Sequence, residues 1–109
     1  MLNKDNVYKY RYKNVDYTIS FTQIDYIQRD GRRTKIVTKD NSYYQNISIN
    51  KIKDLLPNYF VISSKGILLN LKNVSKIDWN SCLVYFKDSL SDYVVSKSHK
   101  KEIDNYEIV

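Results

Sequence analysis

The side chains in this sequence best suited to chemistry are basic and hydroxyl residues, gathered in three short stretches. The first is Arg29-Asp30-Gly31-Arg32-Arg33, followed by Lys35 and Lys39, so five basic residues and one acid fall between positions 29 and 39. An arginine can donate two hydrogen bonds to the O6 and N7 edge of guanine or clamp a phosphate. Taken alone, a solubilising turn accounts for this stretch equally well. The second is Ser63-Ser64-Lys65-Gly66, between the apolar runs Tyr59-Phe60-Val61-Ile62 and Ile67-Leu68-Leu69-Asn70. Its hydroxyls and lysine suit phosphate contacts and some base-edge contacts, although an ordinary polar turn is the better account of it by itself. The third is Ser96-Lys97-Ser98-His99-Lys100-Lys101, at a strand end and a helix start. Free N–H groups at a helix start bind phosphate, the lysines add charge, and Ser98 or His99 could touch a base. The competing account is a solvated helix face with a histidine of no role. Three basic stretches in one small β domain tip the balance towards binding.

Other chemistry finds little support. His99 is the only histidine, and no Cys, His or acid cluster has metal-ligand spacing. Gly31 and Gly66 are too far apart to form a nucleotide-cradling loop, and no serine, base and acid trio stands out. We therefore expect neither an enzyme nor a cofactor. Eleven tyrosines could be stacking platforms for single-stranded nucleic acid, but Tyr8, Tyr10, Tyr12 and Tyr17 keep a strand alternation that packing requires, and packing is the preferred reading. The net charge of +6 comes from 18 Lys and Arg against 12 Asp and Glu, with the acids Glu102, Asp104 and Glu107 gathered at the C-terminal end. Clustered positive charge is the footprint of a phosphate-backbone binder, although a well-solvated surface accounts for the charge alone equally well. The single cysteine, Cys82, rules out an intramolecular disulfide and reads as a small, half-buried strand residue. No stretch approaches a membrane span and the first residues lack an apolar core, so a soluble, cytoplasmic chain is expected. The absence of alanine and the abundance of Lys, Asn, Ile and Tyr suggest an AT-rich bacterial genome.

The elements that must position these residues are mostly strands. Tyr8, Tyr10 and Tyr12 alternate with Lys9, Arg11 and Lys13, and Tyr17, Ile19 and Phe21 alternate with Thr18 and Ser20. Alternation puts one face on a core and the other in water. Further strands are expected at Ile24 to Gln28, Thr34 to Thr38, Ile67 to Leu71, Val74 to Trp79, Leu83 to Lys87 and Tyr93 to Ser96, all rich in β-branched and aromatic residues. Asp30-Gly31 and Asp40-Asn41 are hairpin signals, and Asn14 to Asp16, Asn80-Ser81 and Asp88 to Asp92 are further turn candidates. Ile49, Ile52, Leu55 and Leu56 share one helical face, with Ser48 as N-cap and Pro57 as stop. A short helix is also expected from Ser98 to about Tyr106. No linker or repeat divides the 109 residues, so we expect a single mainly β domain with one inserted short helix and one terminal helix.

The order of these features resembles the LytTR family, the DNA-binding domain of LytR/AgrA-type response regulators. Ile24-Asp25-Tyr26-Ile27-Gln28 is similar to the family's strand before the basic hairpin. Ile49 to Leu56, Pro57 and Tyr59-Phe60 resemble its helix-and-proline segment. Phe60 to Leu71 resembles its central signature, and Val84-Tyr85-Phe86 with Val95-Ser96-Lys97 resembles its ending. The likeness spans about residues 20 to 104. Ile62 and Ser98 stand where the family usually has arginine, and Gly66 where serine is usual.

The resemblance implies an elongated fold of small antiparallel sheets whose loops enter successive major grooves, commonly at paired direct repeats near promoters. It puts DNA contacts on Arg32 or Arg33, on Ser64 and Lys65, and near Lys97 to His99. With the charge reading, the expected DNA-binding set is Arg29, Arg32, Arg33, Lys35, Ser64, Lys65, Lys97, Ser98, His99 and Lys100. The expected partners are double-stranded DNA, a second copy on DNA repeats and, if a longer parent chain exists, a receiver domain, which is absent from this chain. A protein-interaction module and a single-stranded nucleic-acid binder are the alternatives.

Overall fold

The computed structural model describes residues 6–87, 92–94 and 100–105. The alternating tyrosine segments form an antiparallel hairpin, β1 (Val7–Tyr12) and β2 (Val15–Ser20), in which Tyr10 lies opposite Tyr17. Its turn is Lys13-Asn14, both at positive φ (51° and 62°), the paired left-handed conformation that matches the twist of a two-residue hairpin. The hairpin's inward side chains Tyr8, Tyr10 and Ile19 are buried, whereas Lys9 and Arg11 face water. Tyr10 stacks on Tyr17 at 5.0 Å between ring centroids, and Tyr8 donates a hydrogen bond to Gln45. The tyrosines of this hairpin are therefore core and packing residues, as their alternation requires.

The central element is a five-stranded antiparallel sheet in the order β5-β4-β3-β7-β6. Its strands are β3 (Ile24–Asp30), β4 (Arg33–Thr38), β5 (Ser42–Gln45), β6 (Phe60–Ser64) and β7 (Ile67–Asn70), with the helix α1 (Ile49–Asp54) between β5 and β6. Ser48 caps α1 by accepting from the Lys51 backbone N–H at 3.2 Å. Both faces of the sheet are covered. The hairpin and α1 close one face over Ile24, Ile27, Ile36, Phe60 and Leu68. A three-stranded sheet in the order β10-β9-β8, made of β8 (Val74–Asp78), β9 (Leu83–Phe86) and β10 (Asp92–Val94), lies at the second core together with the helix α2 (Lys100–Asn105). There Val84, Phe86 and Ile103 pack with Val61, Ile67 and Leu69. β7 is consequently buried at all four positions, the apolar run of a strand covered on both sides.

Several local features depart from the expectation. Phe21 and Leu71 do not continue their strands; each opens a single 3-10 turn, Phe21–Gln23 and Leu71–Asn73. Two asparagines fix the first of these turns. The fully buried Asn70 donates to the carbonyls of Phe21 (3.1 Å) and Ile24 (2.8 Å). Asn73 donates to the carbonyls of Thr22 (2.8 Å) and Ile24 (3.0 Å). A bulge in β3 between Ile24 and Tyr26 adds one residue, so Ile24 and Ile27, three apart, both reach the same core. Cys82 is half-buried but is not a strand residue: it sits in the β8–β9 turn at φ 58°. β10 covers part of the expected strand from Tyr93, whose end at Ser96 lies outside the described residues, as do Ser98 and Tyr106 at the ends of the second expected helix. The molecule measures 43 × 29 × 26 Å, an elongated stack of small sheets.

Candidate nucleic-acid interface

The basic stretch at Arg29 to Arg33 is a hairpin tip. Asp30 pairs with Arg33 across a two-residue turn, and Gly31 takes the left-handed φ of 62° at its first position. The stretch at Ser63 to Gly66 is a second tip, joining β6 to β7, with Gly66 at φ 77°. Its register slips between Ile62 and Ser64, so a bulge re-aims the chain just before Lys65. Ser63 is fully buried at this bulge and its hydroxyl lacks a hydrogen-bond partner among the described residues.

The sheet order joins the two tips. β3 runs antiparallel to β7, with Gln28 opposite Ile67, so the end of β3 lies beside the start of β7. The Arg29 N–H donates to the Gly66 carbonyl at 2.8 Å, extending the ladder to the tip itself. A side chain at Gly66 would bring its Cβ within 3.3 Å of the Arg29 Cβ, so glycine is what allows the tips to lie this close. Arg29, Arg32, Arg33, Ser64 and Lys65 therefore share one end of one rigid sheet, although up to 36 positions separate them in the chain. Lys35 is one register pair further in, half-buried, opposite Gln28 on β3 and Tyr44 on β5.

These cations are held to different degrees. The Arg33 guanidinium stacks over the Tyr44 ring at 4.1 Å and lies 3.7 Å from the Asp30 carboxylate. The Arg29 Nε donates to the Gly31 carbonyl at 3.2 Å. Arg32 and Lys65 are exposed, and neither has an ion pair or side-chain hydrogen bond among the described residues. The two tips form one wall of an open cleft of about 1260 Å³, whose other wall is the segment entering α1, with Asn46, Asn50 and Lys51. Ile62 contributes an apolar patch to the lining.

The third stretch is only partly described. Lys97, Ser98 and His99 lie outside the described residues. Lys100 opens α2, is exposed, and pairs with Asp104 at 2.9 Å, with its ammonium 5.6 Å from the Trp79 ring. Sequence reasoning missed Asn46, Asn50 and Lys51 at the cleft, and Tyr44 beneath the Arg33 guanidinium. Ser48 as an N-cap gave the only signal that a helix begins there, and no residue type marked its neighbours as part of a site. Among the described residues no group of His, Cys, Asp and Glu could hold a metal, and no helix is long and apolar enough to cross a membrane.

Comparison with known proteins gives a family and a fold. The family model for the LytTr DNA-binding domain matches residues 14–106. Among the solved structures, the LytTr DNA-binding domain of a protein described as a methyl-accepting/DNA response regulator from Bacillus cereus is similar, with a TM-score of 0.76 at 16% identity, over 92% of this chain and 94% of that one. No curated protein matches the chain.

Proposed function

Because the chain belongs to the LytTr DNA-binding domain family, we propose that the basic end of its central sheet binds double-stranded DNA in a sequence-dependent way and that the chain acts in transcription regulation. The observation that carries this reading is the joining of the two basic tips by the hydrogen bond from Arg29 to Gly66. A rigid sheet end with two projecting tips can enter a major groove as a loop reader, where phosphate contacts fix position and base-edge contacts supply sequence. Arg32 and Lys65 are the base-reading candidates, because they project unpaired. Arg29 and Arg33 are pre-oriented for phosphate, the first by the Gly31 carbonyl and the second by Tyr44 and Asp30. Lys35, Ser64 and Lys100 add to the footprint, and so do Lys97, Ser98 and His99. Binding at paired direct repeats, with one copy on each and the tips in successive major grooves, completes the reading. A cytoplasmic setting and, in a longer parent chain, a receiver domain go with it. Tyr8 and Tyr10 are buried, which removes them as stacking platforms for single strands.

Selection from random duplex DNA at near-physiological salt tests the reading. A recurring motif is expected, and Arg32→Ala or Lys65→Ala should cost roughly 1–3 kcal/mol of binding, confined to one base position where the side chain reads a base. Absence of any enriched motif, with neither substitution altering affinity, would refute it.

A further inference from the structure

The cleft has two walls, and the functional reading uses one of them. The far wall is the stretch from Asn46 into the first turn of α1, and its exposed polar residues are uncommitted. The Lys51 backbone N–H is taken by Ser48, but its ammonium has neither an ion pair nor a hydrogen bond among the described residues. The Asn46 and Asn50 amides are likewise exposed and unbonded among the described residues. No acid lines the cleft, whose cations are Arg29, Arg32, Arg33 and Lys65 from the tips and Lys51 from the opposite side. Cations facing each other across an open groove, with no acid between them, suit a polyanion lying along that groove.

We propose that the segment entering α1 is a second strip of the DNA-binding surface, in which the Lys51 ammonium holds a backbone phosphate across the cleft from the Arg32 and Lys65 tips. This rests on the reading of the tips as a duplex-DNA site. The position of the strip is fixed by packing. Ile52, next to Lys51, is fully buried in the first core, and Ile47 accepts a hydrogen bond from the Thr34 hydroxyl beside the basic turn. The far wall is therefore anchored to the same core and to the same end of the sheet as the tips. Asn46 and Asn50, which line the same cleft as Lys51, are neutral donors for the same strand.

The test is the salt dependence of duplex binding by the full chain. Each lost phosphate contact lowers the slope of log affinity against log salt by about 0.9. Lys51→Ala should therefore weaken binding on all sequences alike, and its deficit against the parent should shrink about three- to fourfold between about 50 and 200 mM salt. Lys39→Ala, at the opposite end of the sheet, is the control and should leave the slope unchanged. Thermal unfolding of each variant verifies the fold, and Lys51→Gln, which keeps the stem without the charge, should behave like the alanine. An unchanged slope in Lys51→Ala, while Lys65→Ala or Arg32→Ala still lowers binding, overturns the second strip and leaves the tips standing. A parent chain that binds no duplex overturns both.

Discussion

Asn70 stands inside the stretch that resembles the family signature, at the end of β7 away from the basic tip, and the structure makes it a clamp instead of a DNA contact. It is fully buried. Its amide nitrogen donates to the Phe21 and Ile24 carbonyls at 3.1 and 2.8 Å, and its amide oxygen accepts from the Lys72 N–H at 3.1 Å. Asn70→Ala removes all three bonds, worth about 1 kcal/mol each in net terms. Part of that is recovered locally. The Phe21 carbonyl keeps the Ile24 N–H, and the Ile24 carbonyl keeps the Asn73 amide at 3.0 Å. The void left by the missing amide adds about 1 kcal/mol. The net loss should be about 2–3 kcal/mol, equivalent to a fall in Tm of about 10–20 °C for a domain of this size. Differential scanning calorimetry reads the first quantity. DNA affinity of the folded variant, measured well below its new Tm, should stay within about twofold of the parent, as for independent sites. A variant with an unchanged Tm that loses DNA binding would refute the clamp and make Asn70 a contact residue.

Two further changes probe the same framework. The two tip glycines should differ: Gly66→Ala meets both a left-handed φ of 77° and the Arg29 Cβ, whereas Gly31→Ala meets only the φ, with open space around it. Gly66→Ala should cost more than the roughly 1–2 kcal/mol of left-handed strain alone, and Gly31→Ala no more than that, as read by denaturant unfolding; equal costs would mean the tips are not in close approach. Asp25 is 4% exposed, and burial pushes its carboxyl above the usual range against the opposing pull of Asn73 and Lys39. Its contribution to stability is fully present below the ordinary pKa of 3.8 and is lost as pH rises through the raised folded value. Asp25→Asn should therefore be more stable than the parent at neutral pH, with the gain shrinking towards pH 3.8; a variant less stable at neutral pH would show that the carboxylate's contacts outweigh its burial.

Much of the fold could be read from the sequence because its strands alternate. Tyr8 and Tyr10 point inward while Lys9 and Arg11 point outward, as period two demands. The helix at Ser48 carried its own cap and its own stop. β5 escaped because Ser42 to Gln45 is a short edge strand in which Tyr43 is the one apolar side chain packed on the core among the described residues, so no alternating apolar pair marks it. The end of β2 at Phe21 is not legible because what turns the chain there is not local: asparagines 46 to 51 positions away hold that turn. The turn at Leu71 is capped locally by the Asn70 side chain, but Asn70 sits within an apolar run that reads as continuous strand. Cys82 at a left-handed φ is equally invisible, since the residue type gives no hint of it. The candidate site divides in the same way. Residue type and charge identified the two tips separately, but their meeting depends on β3 pairing with β7 across some 40 positions, which spacing along the chain does not encode.

That pairing also bears on how specificity can arise on so basic a surface. Phosphate attraction alone holds any duplex, and it weakens as salt rises. Base readout needs side chains brought to a defined position on the base edge, and ordering a free arginine or lysine costs up to about 2 kcal/mol of rotamer freedom. Arg33 has already lost much of that freedom to the Tyr44 ring and the Asp30 carboxylate, an exposed ion pair worth under about 1 kcal/mol to stability. The value of Asp30 to this domain then lies less in stability than in aim: it spends one unit of the local positive charge to fix the direction of an arginine. In the proposed reading, Arg32 and Lys65, left free, bear the ordering cost only when a duplex supplies their partners. One sheet end thus carries both a pre-set cation that can fix register and mobile ones that can discriminate, and the backbone bond from Arg29 to Gly66 sets the distance between them.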